Sequence, residues 1–464
     1  MTKPRKPKPQ KAVKSPSAAR PTTASGRAIE NASPPGENPS APGALINRRA
    51  ADRLRAGHLW VYASDVLEIV PPKPEKELLH VADNRGLFLG TALYSPSSQI
   101  ALRLVSRQPL DQAGWLSLLE ARLRAAIARR KPLLDAANDA CRLCFSEADE
   151  LPGLVIDRYG DLVILQFLTK GLLAPGVTET CVRVVREELA PAAIWERPDP
   201  RIRELEGLPA PNPDPLWPDP PSLDAPRLAN PARPASTTQF HLNGLVFHYD
   251  ANAGQKTGAF LDQRANYAAA REWAQRLGAA SSGFEGRALD VCCYQGGFAL
   301  HLAQVCRQVT GIDSSRASLE VAERNLEANR PHITAEVDWV EADAFEILRD
   351  WSQAGQSPNA KFDAIVLDPP AFAKTKRAVE GALRGYKELN LRALKMIRPG
   401  GLLVTCSCSH HVSWADLEST VAAAAADTSR RVRLLERRGA APDHPIVLNL
   451  PETEYLKCLL LEVE

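Results

Sequence analysis

No apolar run in the sequence is long enough to span a membrane, and the amino terminus lacks the apolar core of a secretion signal. A cytoplasmic protein with no membrane partner is therefore expected. Charge of one sign is not in large excess. The 464 residues carry a net charge of only +2, so any nucleic-acid binding must come from local patches. Neither a Gly-x-Gly-x-x-Gly turn nor a Walker Gly-Lys-Ser/Thr occurs, which argues against a diphosphate cradle. Cys141-x-x-Cys144 has no second Cys or His pair at zinc-site spacing, so no metal is expected. Nine cysteines, an odd number without a secretion signal, read as reduced thiols.

What is present divides the chain into segments. Residues 1–43 are rich in Pro, Ser, Ala, Lys and Arg and poor in large apolar side chains, and read as a disordered basic tail. Residues 44–107 alternate short strand signals with turns, as in a small β-rich binding module. Arg48, Arg49, Arg53 and Arg55 are candidate phosphate clamps there, and Trp60 and Tyr62 are either stacking platforms or core. Residues 108–206 combine an amphipathic helix (Leu116, Leu119, Leu123 and Ile127 on one face) with strand signals, and read as a small α+β domain. Residues 207–236 are crowded with proline, as in a linker or insertion.

Residues 237–464 alternate short apolar strands with helices, the pattern of a Rossmann-like α/β domain with a mostly parallel sheet. Ligands of such sheets gather at the carboxyl ends of the strands. The strand Arg287 to Cys293 runs into Tyr294-Gln295-Gly296-Gly297, a turn that lets the backbone approach a ligand closely. The next strand ends in Asp313, roughly 20 residues past the glycines, where an acid can bind ribose hydroxyls. A third strand leads to Asp343, near where an adenine edge would lie. The polar decapeptide Gln255 to Arg264, with Gln255, Asp262 and Arg264, reads as a further ligand lining. An adenosine-like ligand without a diphosphate is the expectation, and S-adenosylmethionine (SAM) fits better than NAD or ATP.

Two strands carry reactive chemistry at their ends. Phe362 to Leu367 runs into Asp368-Pro369-Pro370-Ala371-Phe372, and Gly401 to Thr405 runs into Cys406-Ser407-Cys408-Ser409-His410-His411. An acidic Pro-Pro loop and a cysteine should thus share one pocket. On an extended strand Cys406 and Cys408 point to the same side, but Cys408 lies further past the strand end and is the better candidate nucleophile. Lys374, Lys376, Arg377, Arg384 and Lys387 form a candidate basic rim.

These motifs, with Arg384-Gly385-Tyr386-Lys387 and Pro451-Glu452-Thr453-Glu454-Tyr455-Leu456-Lys457, resemble those of the bacterial large-subunit (23S) rRNA cytosine-5 methyltransferase I family. That family joins a PUA domain to a class I SAM-dependent methyltransferase domain, and the resemblance covers roughly residues 44–464. It implies an RNA partner, SAM as cofactor, and SAM contacts from Gln255, Asp262, Arg264, Asp290, Tyr294, Gly296, Asp313, Asp343 and Asp368. It places the family's Thr-x-Ser-Cys-Ser pattern on Cys408. Chemistry at carbon 5 of cytosine then implies a Cys408 thiolate adding to carbon 6, with Asp368 holding the ring at N3 and Phe372 packing on the unstacked base. Two alternatives stay open: methylation of a base amino group, which needs no cysteine, and a non-catalytic RNA-binding assembly factor. The oligomeric state is open, with a homodimer among the options.

Overall fold

The structure is a computed structural model that describes residues 43–70, 77–209, 214–218, 236–252, 258–353, 361–373 and 375–464. The basic tail, most of the proline-rich segment, Gln255 and Lys374 lie outside the described residues.

The amino-terminal part is a six-stranded sheet ordered Trp60–Tyr62, Ile100–Ser106, Phe88–Tyr94, Leu78–Asp83, Gly43–Ile46, Val66–Val70. Against it packs a helix that the sequence pattern did not reveal, Arg48–Arg55, with Ala50, Ala51 and Leu54 buried. Its apolar face is built from two alanines and one leucine among four arginines, too faint a stripe to stand out. Asn47 caps it by accepting the Ala50 amide at 2.9 Å. Arg53 binds Asp65 at 2.6 Å and Arg55 binds Asp83 at 2.5 Å, so two of the expected phosphate clamps hold their own domain together. Trp60 is half-buried and donates to Glu147, while Tyr62 is exposed under the Arg53 guanidinium.

Next comes the helix Gln112–Arg130, capped by Asp111. Its buried Trp115, Leu119, Leu123 and Ile127 pack on a four-stranded sheet ordered Ala193–Glu196, Leu162–Phe167, Leu154–Tyr159, Ala140–Phe145. Arg130, almost wholly buried, forks onto Asp149 at 2.6 and 2.8 Å and reaches the Asp443 carbonyl at 3.2 Å. That carbonyl ties this region to the carboxyl-terminal part. Cys141 and Cys144 are buried, and burial pushes both thiols up. They are inert packing groups.

A hairpin, Thr237–Leu242 with Leu245–Asp250, turns at Asn243-Gly244, both at positive φ as a two-residue turn requires. It precedes seven strands: β1 (Arg287–Val291), β2 (Gln308–Asp313), β3 (Glu336–Glu341), β4 (Phe362–Leu367), β5 (Ile397–Ser407), β6 (Val432–Arg438) and β7 (Lys457–Val463). Their order in the sheet is β3-β2-β1-β4-β5-β7-β6. The first five are parallel, and β7 is antiparallel to both neighbours. The interleaved helices are α1 (Arg264–Ala280), α2 (Gly297–Leu302), α3 (Arg316–Asn329), α4 (Ala344–Gln353), α5 (Val379–Met396) and α6 (Trp414–Asp427). Val291, Ile365, Leu367 and Leu403 face the α5–α6 side, and Ala288, Val366, Leu402 and Val404 the other, so both faces of the sheet are covered. Strand order reverses between β1 and β4, which opens a crevice at their carboxyl ends. On α3, Asn325 and Asn329 accept the hairpin amides of His248 and Val246, so the free hairpin edge is capped by side chains.

Candidate active site

Asp290, on β1, is 1% exposed and accepts the Ala299 amide at the start of α2 at 2.8 Å. Its other carboxylate oxygen is buried with no hydrogen-bond partner among the described residues. Burial pushes this carboxyl up to about 8, against the Ala299 hydrogen bond that lowers it. Beyond β1 the chain winds tightly, with Cys292, Tyr294 and Gly296 at positive φ. A side chain at Gly296 would meet the Trp339 ring at 2.9 Å.

Asp313, at the end of β2, accepts the amides of Tyr294 and Ser315, both at 2.9 Å. Asp343 follows β3 and caps α4 through the amides of Phe345 and Glu346. Tyr294 donates its hydroxyl to the Gly258 carbonyl at 2.7 Å and meets Phe260 edge-on. Asp262 is buried and accepts the Tyr455 hydroxyl.

Asp368 follows β4 and accepts Gln263 Nε2 at 3.0 Å, while Gln263 Oε1 is held by Asn266 at 2.6 Å. Phe372 lies between Phe345 and Tyr386, with ring centroids 5.8 and 4.8 Å away. Ser409 joins this loop to the cysteine loop, accepting the Ala373 amide and contacting the Tyr386 hydroxyl, each at 3.1 Å. Tyr386 also accepts from Ser407 at 2.9 Å.

A cavity of about 270 Å³ runs between these groups. Asp262, Asp290, Tyr294, Asp313, Asp343, Asp368 and Cys408 all line it, with Pro369, Pro370 and Phe372. Two of the expected contacts do not line it. Arg264 does not line the cavity; it turns to the Ala140 carbonyl at 2.9 Å and to Asp443, joining α1 to the four-stranded sheet. Gly296 shapes the turn without lining the cavity, because the Trp339 ring occupies the space where its side chain would be. Gln255 lies outside the described residues. Gln263, Phe260 and Ser314 line the cavity without having been singled out. Gln263 had a signal in its polar decapeptide, but its partner Asp368 is 105 residues away.

The two cysteines part company. Cys406 is fully buried at the Cys458 rung of the β5–β7 ladder, and burial together with Cys458 pushes its thiol well up. Cys408 lies past the last residue of β5, is partly exposed, and faces the cavity, with its sulfur 3.9 Å from the Pro369 carbonyl.

Five acidic side chains line the cavity, one with an unpaired buried oxygen, and suit a ligand that carries positive charge. SAM, with its sulfonium and ammonium, has that chemistry. The rim residues Lys376 and Arg377 are exposed, whereas Arg384 and Lys387 are paired with Glu380 and Asp427. Among the described residues no cluster of three or more His, Cys, Asp or Glu could hold a metal ion, and no helix is long and apolar enough to cross a membrane.

Comparison with known proteins agrees with this architecture. Residues 45–107 match the PUA-like domain family, and residues 228–461 match the S-adenosylmethionine-dependent methyltransferases. Fold and site thus define a SAM-dependent methyltransferase with an amino-terminal PUA-like domain. Over 415 residues the chain is 34% identical to ribosomal RNA large subunit methyltransferase I of Erwinia tasmaniensis, covering 89% of this chain and 97% of that protein. The protein of the same name from Photobacterium profundum is 34% identical, covering 87% and 95%. The chain belongs to the ribosomal RNA large subunit methyltransferase I family. Among solved structures, SMU.776 complexed with SAH superposes with a TM-score of 0.70 at 18% identity, over 90% of this chain and 98% of that one. A chain from Streptococcus mutans gives 0.69 at 17%.

Proposed function

We propose that the protein methylates carbon 5 of a cytosine in large-subunit ribosomal RNA through a covalent adduct between Cys408 and carbon 6 of the base. The observation that carries this reading is the position of Cys408, which faces the same cavity as Asp368 and the row of carboxylates. An amino-group methyltransferase has no use for a thiol there. The names of the relatives supply the substrate class, and the PUA-like domain supplies a module suited to RNA.

Asp290, Asp313 and Asp343 would hold SAM at three neighbouring strand ends, with Tyr294, Asp262 and Asp368 completing the wall. When bound, SAM supplies an electrophilic methyl group. Cys408, as thiolate, bonds to carbon 6 and turns the ring into an enamine that is nucleophilic at carbon 5. Asp368, fixed by Gln263, holds the protonated N3 edge, and Phe372 packs on the base once it leaves its stack. Once carbon 5 carries the methyl group, loss of its proton to water and departure of the thiolate restore the aromatic ring. Exposed Lys376 and Arg377 hold phosphates at the rim without reading sequence.

The test is Cys408→Ser. Methyl transfer to rRNA from cells lacking the protein should be abolished, and bisulfite mapping should find one unmodified cytosine in those cells. Unchanged turnover in the variant would sink the covalent mechanism.

A further inference from the structure

The chemistry above leaves one buried charge unused. Lys457 opens β7 directly opposite Ser407 of β5, one residue before Cys408. It is 3% exposed. Its ammonium donates to the carbonyls of Ser409 and Tyr455, both at 3.0 Å. The Ser409 carbonyl follows Cys408 in the chain, so the charge is pinned against the loop that carries the thiol.

Two carbonyls satisfy two of the three ammonium donors and none of the charge. Among the described residues no carboxylate forms a salt bridge with Lys457. Buried cations are costly unless paired. Glu454, on the segment before β7, and Asp416, on α6, act on it only at longer range; together with Cys408 they offset the burial that lowers its pKa. Of the other titratable groups near Cys408, Asp368 shares its cavity and brings no positive charge. Burial pushes the phenols of Tyr455 and Tyr386 up, and burial lowers His410. Lys457 is a buried cation that interacts electrostatically with the thiol.

We propose that Lys457 is a positioning residue for the reaction, its buried ammonium serving as the counter-charge of the Cys408 thiolate. The thiol proton leaves to water in the cavity, and Lys457 keeps its own protons. This inference rests on the reading of Cys408 as nucleophile, but it can fail separately.

The experiment measures alkylation of Cys408 by iodoacetamide across pH in the full-length, ligand-free protein, with peptides quantified by mass spectrometry. Half-buried Cys292 on the same cavity wall is the internal reference. Wild-type Cys408 should react with a midpoint below the ordinary thiol value of about 8.5. Lys457→Met should raise that midpoint by about one unit or more, and Lys457→Arg should largely restore it. A folded Lys457→Met protein with an unchanged midpoint overturns the proposal. Should that variant not fold, the wild-type curve decides alone, because a midpoint at or above about 8.5 overturns it too. Neither readout needs SAM or RNA. An active Cys408→Ser enzyme would remove the covalent mechanism and leave the lowered midpoint standing, whereas an inactive one with an ordinary wild-type midpoint would remove only the role of Lys457.

Discussion

Asp290 should make the ligand-free protein less stable as pH rises, and Asp290→Asn should remove that dependence. The native carboxyl titrates at about 8, driven up by burial, whereas an unfolded chain has the ordinary value near 3.9. A group whose folded value is raised stabilises the fold fully below its unfolded value, and that contribution is lost as pH climbs through the folded value. Between roughly pH 4 and pH 8 the native state therefore holds one proton more than the unfolded state. For one proton the slope is about 1.4 kcal/mol per pH unit, so from pH 5 to pH 7 this site costs about 2–3 kcal/mol of stability. The figure barely changes for a folded value one unit lower, because most of the two-unit interval still lies in the window. Asparagine keeps an oxygen for the Ala299 amide at 2.8 Å but cannot titrate. Urea unfolding of both proteins at pH 5 and pH 7 gives a double difference that cancels every other titrating group. The expected value is about 2–3 kcal/mol, with the variant gaining relative stability at pH 7. A difference below about 0.5 kcal/mol would mean that Asp290 is ionised in the native protein, and the burial argument would fail.

Other perturbations separate structural from chemical roles. Cys406→Ala should keep methyl transfer while losing about 1 kcal/mol of stability, since its thiol is sealed in the β5–β7 ladder; loss of turnover in a folded variant would contradict this. Asp149→Ala should destabilise by about 3–5 kcal/mol in urea unfolding, because it strands the buried Arg130 guanidinium. Replacing both Lys376 and Arg377 by Ala should flatten the log–log salt dependence of RNA binding by about two; an unchanged slope would place the phosphates elsewhere.

Local signals made most of the catalytic sheet legible. Phe362 to Leu367 is apolar but for Asp363, and Asn243-Gly244 dictates its hairpin within two residues. The acids Asp290, Asp313, Asp343 and Asp368 could be placed at strand ends because a parallel sheet aligns those ends. What escaped depends on distant partners. Arg264 shares a polar decapeptide with Asp262, yet it belongs to Asp443, far along the chain, while Asp262 belongs to Tyr455. Gly296 was read as a ligand contact, and its need for glycine comes from its positive φ and from Trp339 on another strand. Helix Arg48–Arg55 escaped for the opposite reason, having a local pattern too weak in apolar residues to be read.

The acidic cavity also sets a problem that its cysteines resolve differently. Carboxylates that suit a cationic donor oppose any nearby anion. Cys292 displays the cost: burial raises its thiol, and Asp313, Asp368, Asp290 and Asp343 raise it further. A nucleophilic thiolate on the same wall needs a compensating positive charge. In the proposed reaction Cys406 is the poorer candidate, because it is buried and the ladder partner beside it is another thiol, Cys458. Two residues on, the ladder has ended and Cys408 comes free of it, with Lys457 at the last rung. In the proposed reaction, the alternation Cys-Ser-Cys thus turns a register position into a chemical difference: one thiol is sealed in the sheet, and the next is set between an acidic cavity and a buried ammonium.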